Sequence, residues 1–175
     1  TEALGSVQAQ NYAPIEVLVV DDSGEGYAEQ LVSDFKADKI SLQYIEHSEN
    51  EGAHAARDTG LQRANGSYIQ FLDDDDQLHP EKIGRQVDFL QDNDDVGVVY
   101  CGFEYESGDQ HPPDPTICGD VLEDCLRFYD NPLTTSTMLI EADVLNSIRP
   151  LYRDSKGADD IRMSIKLAQQ TQYDF

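Results

Sequence analysis

Two apolar segments of this chain each end in a run of carboxylates. Residues 15–20 (Ile-Glu-Val-Leu-Val-Val) are followed by Asp21 and Asp22, and residues 68–72 are followed by four aspartates at 73–76. Carboxylates are costly to bury without a partner, and neighbouring carboxylates raise one another's pKa. The pattern therefore predicts two strands whose acidic ends meet in one crevice beside a positive charge. A hard divalent cation with oxygen ligands fits such a crevice best.

Strand-like and helical patterns alternate along the first hundred residues. The strand-like runs are 15–20, 41–46, 67–72 and 96–103, and the helical patterns are 27–35, 53–64 and 80–90. This alternation predicts an α/β fold with a mostly parallel sheet and helices on both faces. Because ligands of open α/β folds bind at the carboxyl ends of the strands, Asp22 and Asp75 are expected to share a site. In the helix predicted over 27–35, Tyr27, Leu31 and Phe35 are expected to form the buried face. In the helix that Pro80 opens, the expected face is Ile83, Val87 and Leu90.

The pattern changes after residue 104. Residues 105–119 are rich in Pro, Gly and Asp, which predicts a long loop rather than a linker between domains. A helix near residues 120–128, a short strand at 136–140, a helical turn at 141–147 and a last helix from about Asp159 follow. With 175 residues, the chain is expected to form one domain.

The composition is strongly acidic, with a formal net charge of -23 from 12 basic and 35 acidic residues. Such a surface repels nucleic acids and anionic lipids, so neither is an expected partner. The acids are spread through well-patterned segments and predict a protein of a salt-loving organism; an ordinary acidic cytosolic protein is the alternative. The three cysteines form no Cys-x-x-Cys pair, which favours a reducing compartment, and the histidines lack zinc-site spacing.

Several segments together resemble family 2 glycosyltransferases. They are residues 19–23 (Val-Val-Asp-Asp-Ser), 50–52 (Asn-Glu-Gly), 56–61 (Ala-Arg-Asp-Thr-Gly-Leu), 66–69 (Gly-Ser-Tyr-Ile) and 71–76 (Phe-Leu-Asp-Asp-Asp-Asp). The resemblance covers most of residues 1–104 and implies an inverting enzyme of the three-layer α/β/α GT-A fold that uses nucleotide-diphosphate sugars. Residues 1–104 would then form the nucleotide-sugar-binding part and residues 105–175 the acceptor side of a single domain over 1–175.

The resemblance assigns roles to several aspartates. Asp22 matches the carboxylate that receives the imino proton of the nucleobase, whereas a turn-capping aspartate is the alternative interpretation. Asp21 is expected to cap the turn. In the Asp-x-Asp signature, Asp75 and Asp73 match the metal ligands and Asp74 lies near the ribose; the alternative is a solvated acidic turn.

Two further residues carry expectations from the resemblance. Arg57 would contact the nucleotide phosphates, or else form an ion pair with Asp58 or another acid on its helix. Asp160 matches the general base, preceded by Asp159 where the family usually has Glu; a helix cap is the simpler interpretation of this pair. Inverting transfer needs a base for the acceptor hydroxyl and a Lewis acid on the departing diphosphate. Because the chain has no Gly-x-x-x-x-Gly-Lys loop to hold phosphates, Mn²⁺ or Mg²⁺ is the expected cofactor.

The implied partners are a nucleotide-diphosphate sugar, with a UDP-sugar expected, and a glycan, a lipid-linked or a small-molecule acceptor. The chain contains no apolar run long enough to cross a membrane, so a cytoplasmic location is expected. The inner face of the cell membrane is the alternative, reached through segments outside this chain. Family members begin with an apolar strand that this chain does not contain, so the sheet is expected to lack one strand. The oligomeric state stays open.

Two rival functions remain at the level of the sequence. Residues 17–23 resemble the opening of a phospho-receiver signalling domain. Against this, a helical pattern with Leu4 and Val7 on one face precedes them, and no late strand ends in Lys-Pro. The second rival is a catalytically inert module of glycosyltransferase shape that binds metal and nucleotide. Both rivals retain the acidic site and differ from the enzyme in the chemistry performed there.

Overall fold

The structure is a computed structural model that describes residues 2–127, 134–151 and 159–175, with Asp159 described by its backbone only. The helices are α1 Glu2–Gln8, α2 Glu29–Asp34, α3 Ala53–Arg63, α4 Lys82–Asp92, α5 Leu122–Leu126, α6 Ala142–Ser147 and α7 Asp159–Ala168. The strands are β1 Ile15–Asp21, β2 Ile40–Glu46, β3 Tyr68–Ile69, β4 Val96–Val99, β5 Phe103–Glu104, β6 Gln110–His111, β7 Leu139–Glu141 and β8 Gln172–Asp174.

The chain folds into two compact units that are interleaved along the sequence. The first contains Thr1–Gly66, Asp73–Gly84 and Arg149–Asp154, and the second contains Ser67–Leu72, Arg85–Ile148 and Ser155–Phe175. No helix within the described residues is long and apolar enough to span a bilayer.

The first unit is built on the parallel pair β1 and β2, in register from Ile15 opposite Ile40 to Asp21 opposite Glu46. Helix α3 packs on β1, and a β-carbon on Gly60 would lie 3.6 Å from Val20 Cγ2. Residues 15–20 of β1 are only half-buried although most of them are apolar. Within the described residues, β2 is the one strand that pairs with β1, which leaves the second edge of β1 without a strand partner there.

The second unit contains a four-stranded sheet in the order β3-β7-β4-β8. Strand β7 runs antiparallel to both β3 and β4, and β4 runs parallel to β8, so three of the four strands share one direction. The core of this unit contains Val98, Ile140, Leu145, Leu167 and Tyr173, each of which is 0% exposed.

The region after β4 differs from its prediction. The strand expected over 96–103 ends at Val99, and the expected loop begins as a hairpin in which Phe103 pairs with His111. Gly102 permits the two backbone segments of the hairpin to approach closely, because a β-carbon there would lie 2.5 Å from the His111 carbonyl oxygen. Strand β8 was not predicted; it is held by a hydrogen bond of 2.9 Å from the Tyr100 amide to the Asp174 carbonyl.

The predicted face of α2 is also wrong. Tyr27 precedes the helix and is 73% exposed, and Leu31 is 39% exposed, whereas Val32 provides the buried contact. The helix contains only six residues, so apolar spacing that continues across the preceding turn does not describe one face. By contrast, the predicted face of α4 is confirmed, since Ile83, Val87 and Leu90 are all buried.

Candidate functional site

Asp21 closes the turn that follows β1. Its carboxylate accepts hydrogen bonds from the amides of Ser23 at 3.0 Å and Ala28 at 2.7 Å and from the Tyr44 hydroxyl at 2.9 Å. Burial alone would raise the pKa of Asp21, but these hydrogen bonds, that of the Ala28 amide foremost, outweigh it and lower the pKa to about 2. The expected turn-capping role of Asp21 is confirmed.

Asp22 also accepts three hydrogen bonds, from donors that lie farther along the chain. Its Oδ1 accepts hydrogen bonds from His47 Nδ1 at 2.7 Å and the Glu51 amide at 2.9 Å, and its Oδ2 accepts one from the Gly52 amide at 2.7 Å. Burial raises the pKa of Asp22, but the hydrogen bonds from Glu51, His47 and Gly52 lower it more, so the pKa lies below its ordinary value. Asp22 is therefore an ionised acceptor that joins the end of β1 to residues 51–52.

Gly52 makes this arrangement possible. It adopts a φ of 94°, in the left-handed range that side chains other than glycine's rarely adopt, and it directly precedes α3. The Asn-Glu-Gly segment noted in the sequence thus delivers two backbone N–H groups to one carboxylate.

His47 was not predicted as part of the site. The imidazole is 9% exposed, and its second nitrogen, Nε2, lies 2.9 Å from the Thr59 hydroxyl on α3. The sequence does contain a signal for it: His47 follows β2 directly, and the parallel register of Asp21 with Glu46 places it beside Asp22 at the same sheet edge. Zinc-site spacing does not detect a histidine that binds a carboxylate.

The acidic run begins with an ion pair. Arg57 Nη2 lies 3.0 Å from Asp73 Oδ1, and the Arg57 side chain is 13% exposed whereas that of Asp73 is 50% exposed. Asp74, Asp75 and Asp76 are exposed. Arg57 on α3 thus pairs with the first acid of the Asp-x-Asp segment.

Asp58, the neighbour of Arg57, has a different set of contacts. Its carboxylate accepts hydrogen bonds from the Leu151 amide at 3.2 Å and from Gln62 Nε2 at 2.9 Å, and Arg149 Nε lies 3.6 Å away. Asp58 therefore links Arg149 and Leu151 to α3.

The acidic run has the chemistry of a divalent-cation site without a complete protein cage. Within residues 2–127, 134–151 and 159–175, no group of three or more His, Cys, Asp or Glu side chains is arranged to hold a metal ion. Mg²⁺ and similar hard cations commonly take one or two carboxylates and complete their shell with substrate phosphates and water. The carboxylates of Asp73 and Asp75 fit that mode of binding.

The predicted site residues are divided between the two units. Asp22, Arg57, Asp73, Asp74 and Asp75 belong to the first unit. Asp160 belongs to the second unit, where it is exposed in the first turn of α7, and the Asp159 side chain lies outside the described residues.

The family described as Glycosyl transferase family 2 matches residues 1–147. The chain belongs to this family. The resemblance noted in the sequence is confirmed at this level, and the phospho-receiver alternative is left without support.

Curated relatives agree with the family. An uncharacterized glycosyltransferase of Rickettsia prowazekii is 38% identical over 105 residues, which is 59% of this chain and 31% of that protein. The uncharacterized glycosyltransferase EpsJ of Bacillus subtilis is 29% identical over 109 residues, 62% of this chain and 31% of EpsJ. The chain spans about a third of the length of either relative.

Solved structures agree with the fold. S. aureus TarS in complex with UDP is similar over 99% of this chain and 56% of TarS, with a TM-score of 0.76 and 18% identity. The mannosyltransferase PcManGT of Pyrobaculum calidifontis, in complex with GDP-Man and Mn²⁺, is similar over 98% of this chain and 49% of its own, with a TM-score of 0.71 and 23% identity. The predicted α/β fold class of GT-A glycosyltransferases is thereby confirmed.

Proposed function

We propose that this family 2 domain transfers a sugar, with inversion, from a nucleotide-diphosphate donor to an acceptor hydroxyl and depends on a divalent cation. The observation that carries the proposal lies within the first unit. There an ionised, largely buried Asp22 stands at the carboxyl end of β1, and Arg57 anchors the start of an exposed run of carboxylates. The first feature suits a nucleobase and the second suits a diphosphate with its cation.

Asp22 is proposed to bind the base. An ionised carboxylate only accepts hydrogen bonds, so its ligand must present a donor, and the ring N–H of a nucleobase is one. Uracil and guanine both carry a ring N–H on their pairing edge. TarS is described with UDP and PcManGT with GDP-Man, which supports a donor carrying one of these two bases. A UDP-sugar is the donor we propose.

Asp73 and Asp75 are proposed to hold Mn²⁺ or Mg²⁺ together with diphosphate oxygens, and Asp74 is proposed to lie near the ribose. A bound cation neutralises the charge that develops on the leaving diphosphate. The contact of Arg57 with Asp73 keeps one guanidinium at the acidic run. Arg57 is therefore proposed to contact the phosphates as well, because its guanidinium lies 3.0 Å from the first of these acids.

Asp160 is proposed as the general base that takes the proton of the acceptor hydroxyl. A carboxylate in the first turn of a helix is favoured in its ionised form, which a base requires. The acceptor is proposed to be a glycan, a lipid-linked sugar or a small molecule, bound mainly by residues 105–175. Residues 1–104 are proposed to bind the donor within one functional domain.

Three further proposals concern the protein as a whole. The half-buried apolar side chains of β1 support an additional strand along that strand's second edge. The acidic composition supports an origin in a salt-loving organism. A nucleotide-sugar donor supports a cytoplasmic location, with the inner face of the membrane as the alternative.

Calorimetry with UDP and GDP at high salt, with and without Mn²⁺, tests the function. Binding that requires Mn²⁺ is the expected result, and equal affinity after chelation would remove the metal from the proposal. Asp75→Asn should reduce affinity by at least the roughly 10–100-fold typical of disturbed metal sites. Asp76→Asn, which changes the next exposed carboxylate of the same run, is the matched control and should bind nearly as the wild type does. Release of free sugar or its transfer to an acceptor distinguishes an enzyme from an inert module.

A further inference from the structure

We propose that His47 is a positioning residue for the base-binding carboxylate. By donating its Nδ1–H to Oδ1 of Asp22, it reserves Oδ2 as the oxygen that accepts the N–H of a nucleobase. The inference rests on the proposed function, since it concerns the same carboxylate. It adds a residue and an atomic assignment that the family match does not provide.

The direction of the hydrogen bond follows from the charge of Asp22. The low pKa of Asp22 leaves its carboxylate ionised at neutral pH, and an ionised carboxylate has no hydrogen to donate. His47 Nδ1, 2.7 Å from Oδ1, must therefore carry the hydrogen. This holds whether the imidazole is neutral or charged, because both forms can carry a hydrogen on Nδ1.

Thr59 fixes the orientation of the ring. Its hydroxyl lies 2.9 Å from Nε2, so both ring nitrogens of His47 have hydrogen-bond partners on different elements. A ring that is held at both nitrogens and is 9% exposed cannot rotate without breaking one of these bonds. Its Nδ1–H is thus aimed at Asp22 before any ligand arrives.

The lone pairs of Asp22 show which oxygen remains available. Each carboxylate oxygen offers about two acceptor positions. Oδ1 receives two donors, His47 Nδ1 and the Glu51 amide, whereas Oδ2 receives one, the Gly52 amide. One position on Oδ2 therefore remains for an external N–H, and the side chain is still 14% exposed. Without His47, Oδ1 would gain a competing acceptor position, and only the Glu51 and Gly52 amides would hold the carboxylate.

The test measures two ligands on the whole protein, in the presence of Mn²⁺: UDP, which carries the base, and inorganic pyrophosphate, which does not. His47→Leu should weaken UDP binding by at least about tenfold, the lower end of what a hydrogen bond to a charged group contributes. Its affinity for pyrophosphate should stay near the wild-type value. His47→Asn places an amide N–H close to the former Nδ1 position and should recover most of the UDP affinity.

Two controls separate positioning from folding. His47→Gln extends its amide towards Thr59 instead of Asp22 and should resemble the leucine variant in UDP binding. His111→Leu removes an exposed histidine of the second unit and should change neither affinity. Thermal melts of all four variants show which of them fold.

The outcomes are distinct. Equal UDP affinity in the asparagine and glutamine variants, or a parallel loss for UDP and pyrophosphate, would overturn the positioning role. If His47→Leu fails to fold, the comparison of the asparagine and glutamine variants decides. A wild-type protein that binds UDP while His47→Leu binds it equally well contradicts only this inference. A wild-type protein that binds neither ligand contradicts the proposed function itself.

Discussion

Asp160 is the residue on which the proposed chemistry depends most directly. Asp160→Asn should leave the affinity for UDP near its wild-type value, because Asp22 and the Asp-x-Asp segment are proposed to hold the donor. Turnover should fall by about 10²–10⁴, the usual contribution of a positioned proton transfer. Steady-state transfer assays and calorimetry on the same preparations measure the two effects separately.

Asp159→Asn is the matched control for this prediction, since it changes the adjacent carboxylate. It should have a mild effect if Asp159 supports only the start of α7. Loss of transfer in Asp159→Asn with normal transfer in Asp160→Asn would exchange the two roles. Normal transfer in both variants would place the base elsewhere.

Asp21 gives the stability of the first unit a defined dependence on pH. Its pKa is about 2 in the folded protein against 3.8 for the ordinary side chain. A carboxylate with a lowered folded pKa stabilises the folded state above its unfolded pKa, and this contribution is lost as the pH falls through the folded pKa. Asp21→Asn should therefore lower the free energy of unfolding at neutral pH, and its difference from the wild type should shrink between pH 3.8 and about 2. Urea titrations across this range measure it, and a difference that does not vary with pH would contradict the assignment.

At the scale of elements, close packing around β4 leaves too little space for a side chain at Gly97. A β-carbon there would lie 2.6 Å from Thr171 Oγ1 and 2.8 Å from Val144 Cγ2 on α6. Gly97→Ala should thus lower the free energy of unfolding by about 1–3 kcal/mol, the range for overpacked cores. Denaturant titration measures this change.

Gly5 offers the matched glycine at an exposed position of α1. No atom lies within 4 Å of a β-carbon built at Gly5 in α1, so alanine fits there without strain. Gly5→Ala should raise the free energy of unfolding by about 0.4–1 kcal/mol, because alanine restricts the unfolded chain and favours a helix. Destabilisation by Gly5→Ala, or tolerance of Gly97→Ala, would show that the packing differs from that described.

For the whole molecule, charge repulsion is the dominant long-range term. A net charge of -23 on 175 residues produces repulsion that salt screens, with a Debye length of about 10 Å at 0.1 M and about 3 Å at 1 M. The midpoint of thermal unfolding should therefore rise with NaCl and KCl well beyond about 1 M. A midpoint that does not change with salt would leave the acidic composition unexplained by adaptation to salt. Melts in sucrose at low ionic strength control for general stabilisation by cosolutes.

Much of the donor side could be predicted from the sequence, because its signals are local. The apolar runs that end in acid identified β1 and the segment leading to Asp73, a run of small residues identified α3, and amphipathic spacing identified α4. The family followed from the order and spacing of short motifs and was confirmed by the match to residues 1–147. Composition placed the chain among acidic, well-patterned globular domains.

Tertiary structure alone decided the features that depend on contacts between distant residues. His47 belongs to the site because the parallel register of β1 and β2 places it beside Asp22. Arg57 pairs with Asp73, which lies sixteen residues later in the chain. Strand β8 is only three residues long, too short for a periodic pattern, and forms because Tyr173 is fully buried and pairs with β4. A periodic pattern shows which side chains of one segment face water and which face the core. Which acceptor a given donor finds is determined only when separate segments come together, and that is why the sequence identified the acids but not their partners.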